Sequence, residues 1–307
     1  YRRHIMLAAL AIALVLQIQM LFDASSGTLL AIGYQLGLSL FTLFASCMIC
    51  HGELARSRAS TQHLTTFYLY VALGGALGGV FVNLMAPLLF SGYWELHIAL
   101  VATVVLAGIC ILREQPATTS KKNRIAGISI WSLLTVALSI VLIFQIRSSR
   151  ESSIDARRNF YGVLSVDEWH PDEPDHLREL FHGNVQHGLQ CMTPSLQDVG
   201  TSYYGKESGG GLALTGHPKR LNSDPSERGL HIGIVGLGIG TLSAYGTPED
   251  HIRYYEINPD IEILARKYFT NLANGKAATK VIIGDARVSL QRELNQTGTH
   301  QFDVLVL

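Results

Sequence analysis

The residues best placed to do chemistry are a run of alternating glycines, Gly236-Leu-Gly238-Ile-Gly240, and two acidic positions downstream, Glu256 and Asp285. Glycine permits a tight turn and lets backbone approach a ligand. A helix opening after such a turn offers unpaired N–H groups to polar or anionic atoms. Glu256 lies 20 residues past Gly236, at the expected end of the next strand, where a carboxylate can accept both hydroxyls of a ribose. The spacing predicts a nucleoside site. An NAD site shares these features, but the G-x-G-x-x-G fingerprint wants Gly or Ala at its sixth position, and this chain has Thr241 there. Gly284-Asp285-Ala286 follows the third strand, and an acidic group there suits the amino group of an adenine. The residues therefore favour an adenosylmethionine-like ligand over NAD.

Other chemistries are excluded on spacing and context. Cys47-Met-Ile-Cys50-His51 matches the C-x-x-C-H haem-attachment pattern. Covalent haem needs an exposed loop, whereas these residues end an apolar segment, so two buried thiols and an interfacial histidine are expected, and no haem. His176, His182 and His187 lack the Cys or carboxylate spacing of a tetrahedral site; they read as hairpin-surface residues, and no metal is expected. Four Cys, three of them in apolar stretches, make no disulfide framework. Zero net charge and the lack of a long Lys/Arg run argue against a nucleic-acid partner.

The elements that must position the glycines and carboxylates begin at Leu230. Strands are expected over Leu230–Val235, Ile252–Ile257, Lys280–Ile283 and Phe302–Leu307. Between them come a helix opened by Thr241–Tyr245, an amphipathic segment Ile261–Leu272 and a helix Val288–Leu294. This alternation implies a parallel, doubly wound sheet. Upstream, Phe160–Val166 reads as a strand, Leu177–Gln190 as a hairpin about His182-Gly183-Asn184, and Pro218–Arg228 as a loop. The expected organisation is a linker at 147–159, a small β subdomain at 160–228 and a nucleoside-binding domain at 229–307. The last strand reads as cut short, so a fragment is expected.

The first 146 residues are of another kind, holding 8 of the 24 Lys/Arg and 4 of the 24 Asp/Glu. Five segments, 5–22, 28–50, 66–90, 95–112 and 125–146, approach the ~20 apolar residues needed to span a bilayer as helix. A signal peptide is rejected for the first, since no small-residue cleavage site follows it. Gly74, Gly75, Gly78 and Gly79 form two interleaved G-x-x-x-G spacings that predict close helix packing. Almost no ionisable group falls mid-helix, so a transport pathway is not indicated. Arg56 and Arg58, and Arg113, Lys121, Lys122 and Arg124, mark two cytoplasmic loops. Five crossings then put the C-terminal half outside, yet Arg147, Arg150, Arg157 and Arg158 and a cytosolic cosubstrate argue for the cytoplasm, which is the expectation adopted.

Phe160-Tyr-Gly-Val, His182-Gly-Asn-Val-Gln186-His-Gly, Ser202-Tyr-Tyr-Gly205, the Gly236–Gly240 loop, Tyr255-Glu-Ile-Asn258, Gly284-Asp-Ala286 and Phe302-Asp-Val-Leu-Val306 occur in order. Together they resemble the spermidine synthase (polyamine aminopropyltransferase) family. More narrowly, the chain is similar to bacterial proteins that fuse such a domain to membrane helices, with Cys50-His-Gly-Glu-Leu-Ala-Arg56 similar to their interhelical loop. The resemblance runs from about residue 47 to the end. It implies a multi-pass protein of the bacterial inner membrane, an α-helical membrane domain followed by a small β subdomain and a Rossmann-like α/β domain of the class I methyltransferase type. The implied reaction moves an aminopropyl group from decarboxylated S-adenosylmethionine to a small-molecule amine and releases methylthioadenosine. On that reading Gly236, Gly238 and Gly240 hold the nucleoside and Glu256 its ribose. Asp285 and Ala286 meet the adenine, Gln186 reaches the cosubstrate from the β subdomain, and Tyr203 or Tyr204 lines the amine channel, unless these tyrosines are core aromatics. The implied partners are the lipid bilayer and the amine, with a homodimer as an option.

Two departures from the family pattern bear on the chemistry. Ile239 stands where the family usually has an Asp that holds the aminopropyl ammonium. The catalytic Asp expected after the fourth strand falls beyond Leu307, so no catalytic residue is assigned and this stretch is not expected to turn over. Asp303, at the other end of that strand, is a poor substitute. A methyltransferase using intact S-adenosylmethionine, and a non-catalytic nucleoside sensor regulating the membrane half, stay open as alternatives.

Overall fold

The computed structural model describes residues 1–22, 29–116, 120–224, 227–298 and 301–307. Thr28, which begins the expected 28–50 segment, and positions 225–226 of the expected loop lie outside them. The chain divides into two compact units, Tyr1–Glu151 and Ser152–Leu307.

The first unit is helical: α1 (Arg3–Phe22), α2 (Leu29–Arg56), α3 (Leu64–Val80), a π-helical turn (Phe81–Met85) leading into α4 (Ala86–Leu89), α5 (Glu95–Arg113) and α6 (Lys121–Ser148). With α3 through α4 taken as one rod, five helices among the described residues are long and apolar enough to cross a membrane. The π turn precedes Pro87, whose ring crowds the carbonyl four residues back and which has no N–H to donate. Two helices run longer than expected. Ser120 accepts a hydrogen bond from the Asn123 N–H (3.2 Å) and so starts α6 four residues early. The segment Cys50–Arg56, expected as a loop, is the end of α2. Cys47 and His51 are exposed there and Cys50 half-buried, so the two thiols and the histidine lie along a helix rather than in a binding loop.

Leu10 on α1, Ala45 and Ile49 on α2, and Val104 and Ala107 on α5 form this unit's buried cluster. Beyond one end of it, Arg3 binds the carboxylates of both Glu53 and Glu114, and Arg56 also reaches Glu114 (2.8 Å). Tyr1 donates to Glu53 (2.9 Å), its ring so close over Gly52 that a Cβ would lie 2.5 Å from it. Three helices are thus fastened at one level. The close packing expected at Gly74, Gly75, Gly78 and Gly79 is not made among the described residues, none of which lies within 4 Å of a Cβ built there.

The second unit contains two sheets. Strands β1 (Ser153–Asn159), β2 (Gly162–Trp169), β3 (Leu177–His182) and β4 (Val185–Cys191) form an antiparallel sheet in that order. The segment expected to be a linker is therefore partly a strand. Its polar side chains are satisfied by α8 (Pro259–Tyr268): Arg157 by Asp260 (3.3 Å), Asn159 by Asp260 (2.6 Å), and Asp155 by the Tyr268 hydroxyl (2.9 Å). The hairpin turns at Gly183, with φ +60°, as expected.

After the short helix α7 (Gly209–Thr215), β5 (His231–Val235), β6 (His251–Glu256), β7 (Ala278–Ile283) and β8 (Val304–Val306) form a parallel sheet in the order β7-β6-β5-β8. One of its faces buries Ile232, Ile234, Ile252 and Tyr254 with Leu164, Val166 and Leu180 of the antiparallel sheet and Leu264 and Ala265 of α8. The helix expected from Thr241 is a single 3-10 turn, Thr241–Tyr245, stopped by extended Gly246 and Pro248. The amphipathic segment divides into α8 and α9 (Asn271–Asn274) because Phe269 is extended and the Thr270 N–H is taken by Gln190 (3.0 Å). The last helix, α10, spans Ala286–Thr297.

Arg220 and Asp250 form a buried ion pair (2.7 Å), with Asp250 fully inaccessible and also accepting from the N–H groups of Leu230 and Thr247. Burial opposes ionisation of Asp250, but the guanidinium and the two N–H groups outweigh it and hold the carboxyl below its ordinary value. Arg220→Ala is expected to destabilise this unit by about 3 kcal/mol, because it leaves a buried charge unpaired. The wild-type pair contributes fully above the unfolded carboxyl value of ~3.9 and loses its contribution as pH falls through the lower folded value. Denaturant titrations of both proteins at neutral and acidic pH check this, as the difference between them should shrink in acid.

Candidate functional site

The parallel register decides which of the expected residues meet. Val235 pairs with Tyr255, and Glu256 with Ile283, so β5, β6 and β7 end nearly level. Gly236, Glu256 and Gly284 therefore emerge on one edge, the carboxyl ends of the strands. The chain moves outward from β5 to β6 and β7 on one side and returns to β8 on the other. That reversal beside β5 is a topological switch point, the place where open α/β sheets bind ligands. The first turns of α8 and α10 also lie at this edge, adding the positive ends of two helix dipoles.

All three glycines need their residue type. Their φ angles are +91°, +54° and +77° at Gly236, Gly238 and Gly240, a region that side chains disfavour. Their surroundings differ. Gly236 is exposed, with nothing within 4 Å of a Cβ, whereas a Cβ on Gly238 would lie 2.9 Å from the His187 carbonyl oxygen and one on Gly240 would lie 2.9 Å from Leu272. Ligand can approach the backbone at Gly236, while Gly238 and Gly240 are packed against protein.

Glu256 is 5% exposed. One carboxylate oxygen accepts from the Leu237 N–H and the other from the Asn258 N–H, each at 2.8 Å. This holds the glycine loop and the start of α8 to the end of β6. A carboxylate has about four lone-pair sites, so two remain, oriented by the two that are used. Asp285 is exposed and caps α10, accepting from the Val288 N–H (2.9 Å), and Ala286 is the first residue of that helix. A single free carboxylate oxygen at this position can accept from an amino group.

The antiparallel sheet lies over the glycine loop. A Cβ on Gly188 of β4 would come within 2.6 Å of the Ile239 side chain, which is 1% exposed. Ile239 is thus an apolar plug pressed against a strand. His187, next along β4, has its imidazole pushed below its ordinary value by burial, reinforced by His182, against the pull of Glu256. His187, expected at the hairpin surface, is partly buried here, and Gly188 stands in the expected motif with no role assigned to it, although a glycine inside a strand is a known sign of close approach.

The remaining expected residues are placed less centrally. The Gln186 amide donates to Glu179 within the antiparallel sheet, and Glu179 also accepts from the Trp169 indole (2.8 Å). Tyr203 and Tyr204 sit in one 3-10 turn with ring centroids 4.5 Å apart. Tyr203 is exposed, whereas Tyr204 packs on the core and burial raises its hydroxyl. Its carbonyl accepts from the Tyr245 hydroxyl (2.6 Å), which ties this turn to the one following the glycine loop. His176, His182 and His187 do not converge on a common point. His176 meets Glu168 (2.9 Å) and His182 donates to the Tyr161 carbonyl (2.7 Å). Asp303 lies at the amino end of β8, bound to Lys219 (2.6 Å) and to the His231 N–H (2.9 Å), away from the site edge.

No family model, curated protein or solved structure matches the chain.

The Gly188–Ile239 contact yields a packing test. Gly188→Ala is expected to cost about 1–3 kcal/mol through overpacking, and Ile239→Ala on the same chain should recover part of that loss. A double-mutant cycle by thermal denaturation reads the coupling, and additive losses would show that the two residues do not touch.

Proposed function

We propose that the C-terminal unit is a Rossmann-like domain binding an adenosyl sulfonium nucleoside. In the complete protein it would act as a membrane-anchored, spermidine-synthase-like transferase moving an aminopropyl group from decarboxylated S-adenosylmethionine to an amine. The observation that carries this reading is the convergence of open Gly236, buried Glu256 and exposed Asp285 on one sheet edge beside the strand-order reversal. The order β7-β6-β5-β8 is that of the first four strands of a Rossmann fold. In the reaction a neutral amine nitrogen attacks the carbon beside the sulfonium. The carbon–sulfur electron pair returns to sulfur, giving the neutral thioether, and the amine proton passes to a base. A carboxylate following β8 would stand at this edge to receive it. The five apolar helices would anchor the unit to the bilayer.

Ile239 favours a second reading. Its side chain is buried against Gly188 and puts no carboxylate at this position; an acidic group there would repel the α-carboxylate of intact S-adenosylmethionine, so its absence suits methyl transfer from that donor.

Mass spectrometry of the full-length protein incubated with either sulfonium donor and a panel of amines tests both readings. Amine-dependent methylthioadenosine is the expected product, and Glu256→Gln should reduce its formation at least tenfold. S-adenosylhomocysteine would establish methyl transfer instead, and nucleoside binding without either product would leave a sensor. The donor is cytosolic, so the reading also requires a cytoplasmic C-terminal unit. A reporter fused after the second unit should be active only as a cytoplasmic reporter; an extracytoplasmic signal, as the basic loops after α2 and α5 would direct, removes the donor and overturns the reading.

A further inference from the structure

At the opposite edge of the parallel sheet, two residues 20 positions apart in sequence become neighbours. His231 opens β5, His251 opens β6, and the register pairs them directly. Their side chains therefore leave the sheet on the same face. The ring centroids are 5.3 Å apart with planes tilted by 35°, and both residues are exposed. Among the described residues neither ring has a hydrogen-bond partner; the bonds these two residues make are backbone ones, such as the His231 N–H to the Asp303 carboxylate and the His251 N–H to the Leu230 carbonyl. The rings line a recess of about 300 Å³ with Arg253, Gln301 and Phe302.

We propose that His231 and His251 form a two-imidazole site for a divalent transition-metal ion of the zinc and copper class. The spacing is what such an ion requires. With metal–nitrogen bonds of ~2.0–2.1 Å, two imidazoles on one tetrahedral ion have ring centres roughly 5 Å apart. The rings already stand at that distance on two strands of a paired sheet, so binding orders little else. Gln301 can add a carboxamide oxygen from the recess wall, and water completes the shell. The neighbouring cations are neutralised: Arg253 is held by Glu293 (3.0 Å) and Lys219 by Asp303 (2.6 Å). The other histidine groups are less suited. His182 already spends its Nε2 on the Tyr161 carbonyl. The exposed turn group of His170, Glu173 and Asp175 has its histidine bound to Asp175 (2.7 Å). The site depends on strand register alone and does not rest on the nucleoside reading.

The test uses the full chain in detergent, stripped of metal with a chelator and dialysed against Zn2+ at pH 7.5, with bound metal counted by elemental analysis. Wild type is expected to hold one equivalent more than His231→Gln/His251→Gln, and either single variant should bind that equivalent at least tenfold more weakly. His170→Ala should keep it. Electron paramagnetic resonance with one equivalent of Cu2+ should show two imidazole nitrogens in wild type and one in each single variant. Equal zinc content in wild type and the double variant, or loss of the equivalent in His170→Ala instead, would overturn the proposal. Matching circular-dichroism melts confirm that the variants are folded.

Discussion

The second unit depends on one carboxylate. Glu256 ends β6, takes the Leu237 N–H with one oxygen and the Asn258 N–H with the other, and is almost wholly removed from water. Those two bonds fix the path of the glycine loop and the start of α8. Asn258 caps α8 and accepts from Asn159 of β1 (2.7 Å), so the antiparallel sheet is positioned by the same chain of contacts. A buried carboxylate costs several kcal/mol unless its lone pairs are met, and here backbone N–H groups meet them. The group expected to bind a ribose also holds together the elements that would surround it.

The first unit solves a related problem in an apolar setting. Its helices have few polar atoms to fix their register, and packing among Leu10, Ala45, Ile49, Val104 and Ala107 is nearly directionless. Direction comes from Arg3, Glu53, Arg56 and Glu114, whose charges meet at one end of α1, α2 and α5. A planar guanidinium bridging two carboxylates sets helix ends at one level in a way that apolar contact does not.

Much of this was legible in the sequence, and the rest was hidden for identifiable reasons. Long apolar runs and the alternation of strand and helix after Leu230 announce the five helices and the parallel sheet. The strand β1 was concealed because its Asp155, Arg157 and Asn159 read as a solvated linker, and only the facing α8 shows what satisfies them. The glycine loop opens a 3-10 turn rather than an α-helix because Gly246 and Pro248 stop it, two residues present in the sequence but outweighed there by the motif. Gly236, Gly238 and Gly240 look alike in sequence, yet only Gly236 faces open space, a distinction set by His187 and Leu272 from distant elements. The pairing of His231 with His251 likewise depends on register, which spacing along the chain does not encode.

The strand order also shapes how this unit must be made. β5 pairs with β6 on one side, but on the other it waits for β8, whose Val304 lies opposite Ile232. Until residue 304 is synthesised, one side of β5 is a bare sheet edge with unpaired backbone groups, though its side chains already belong to the core. The order of synthesis therefore leaves the middle of the sheet complete only after its far edge. A nascent chain spends that interval as a template for the wrong partner, and a closure so far apart in sequence is slow to form.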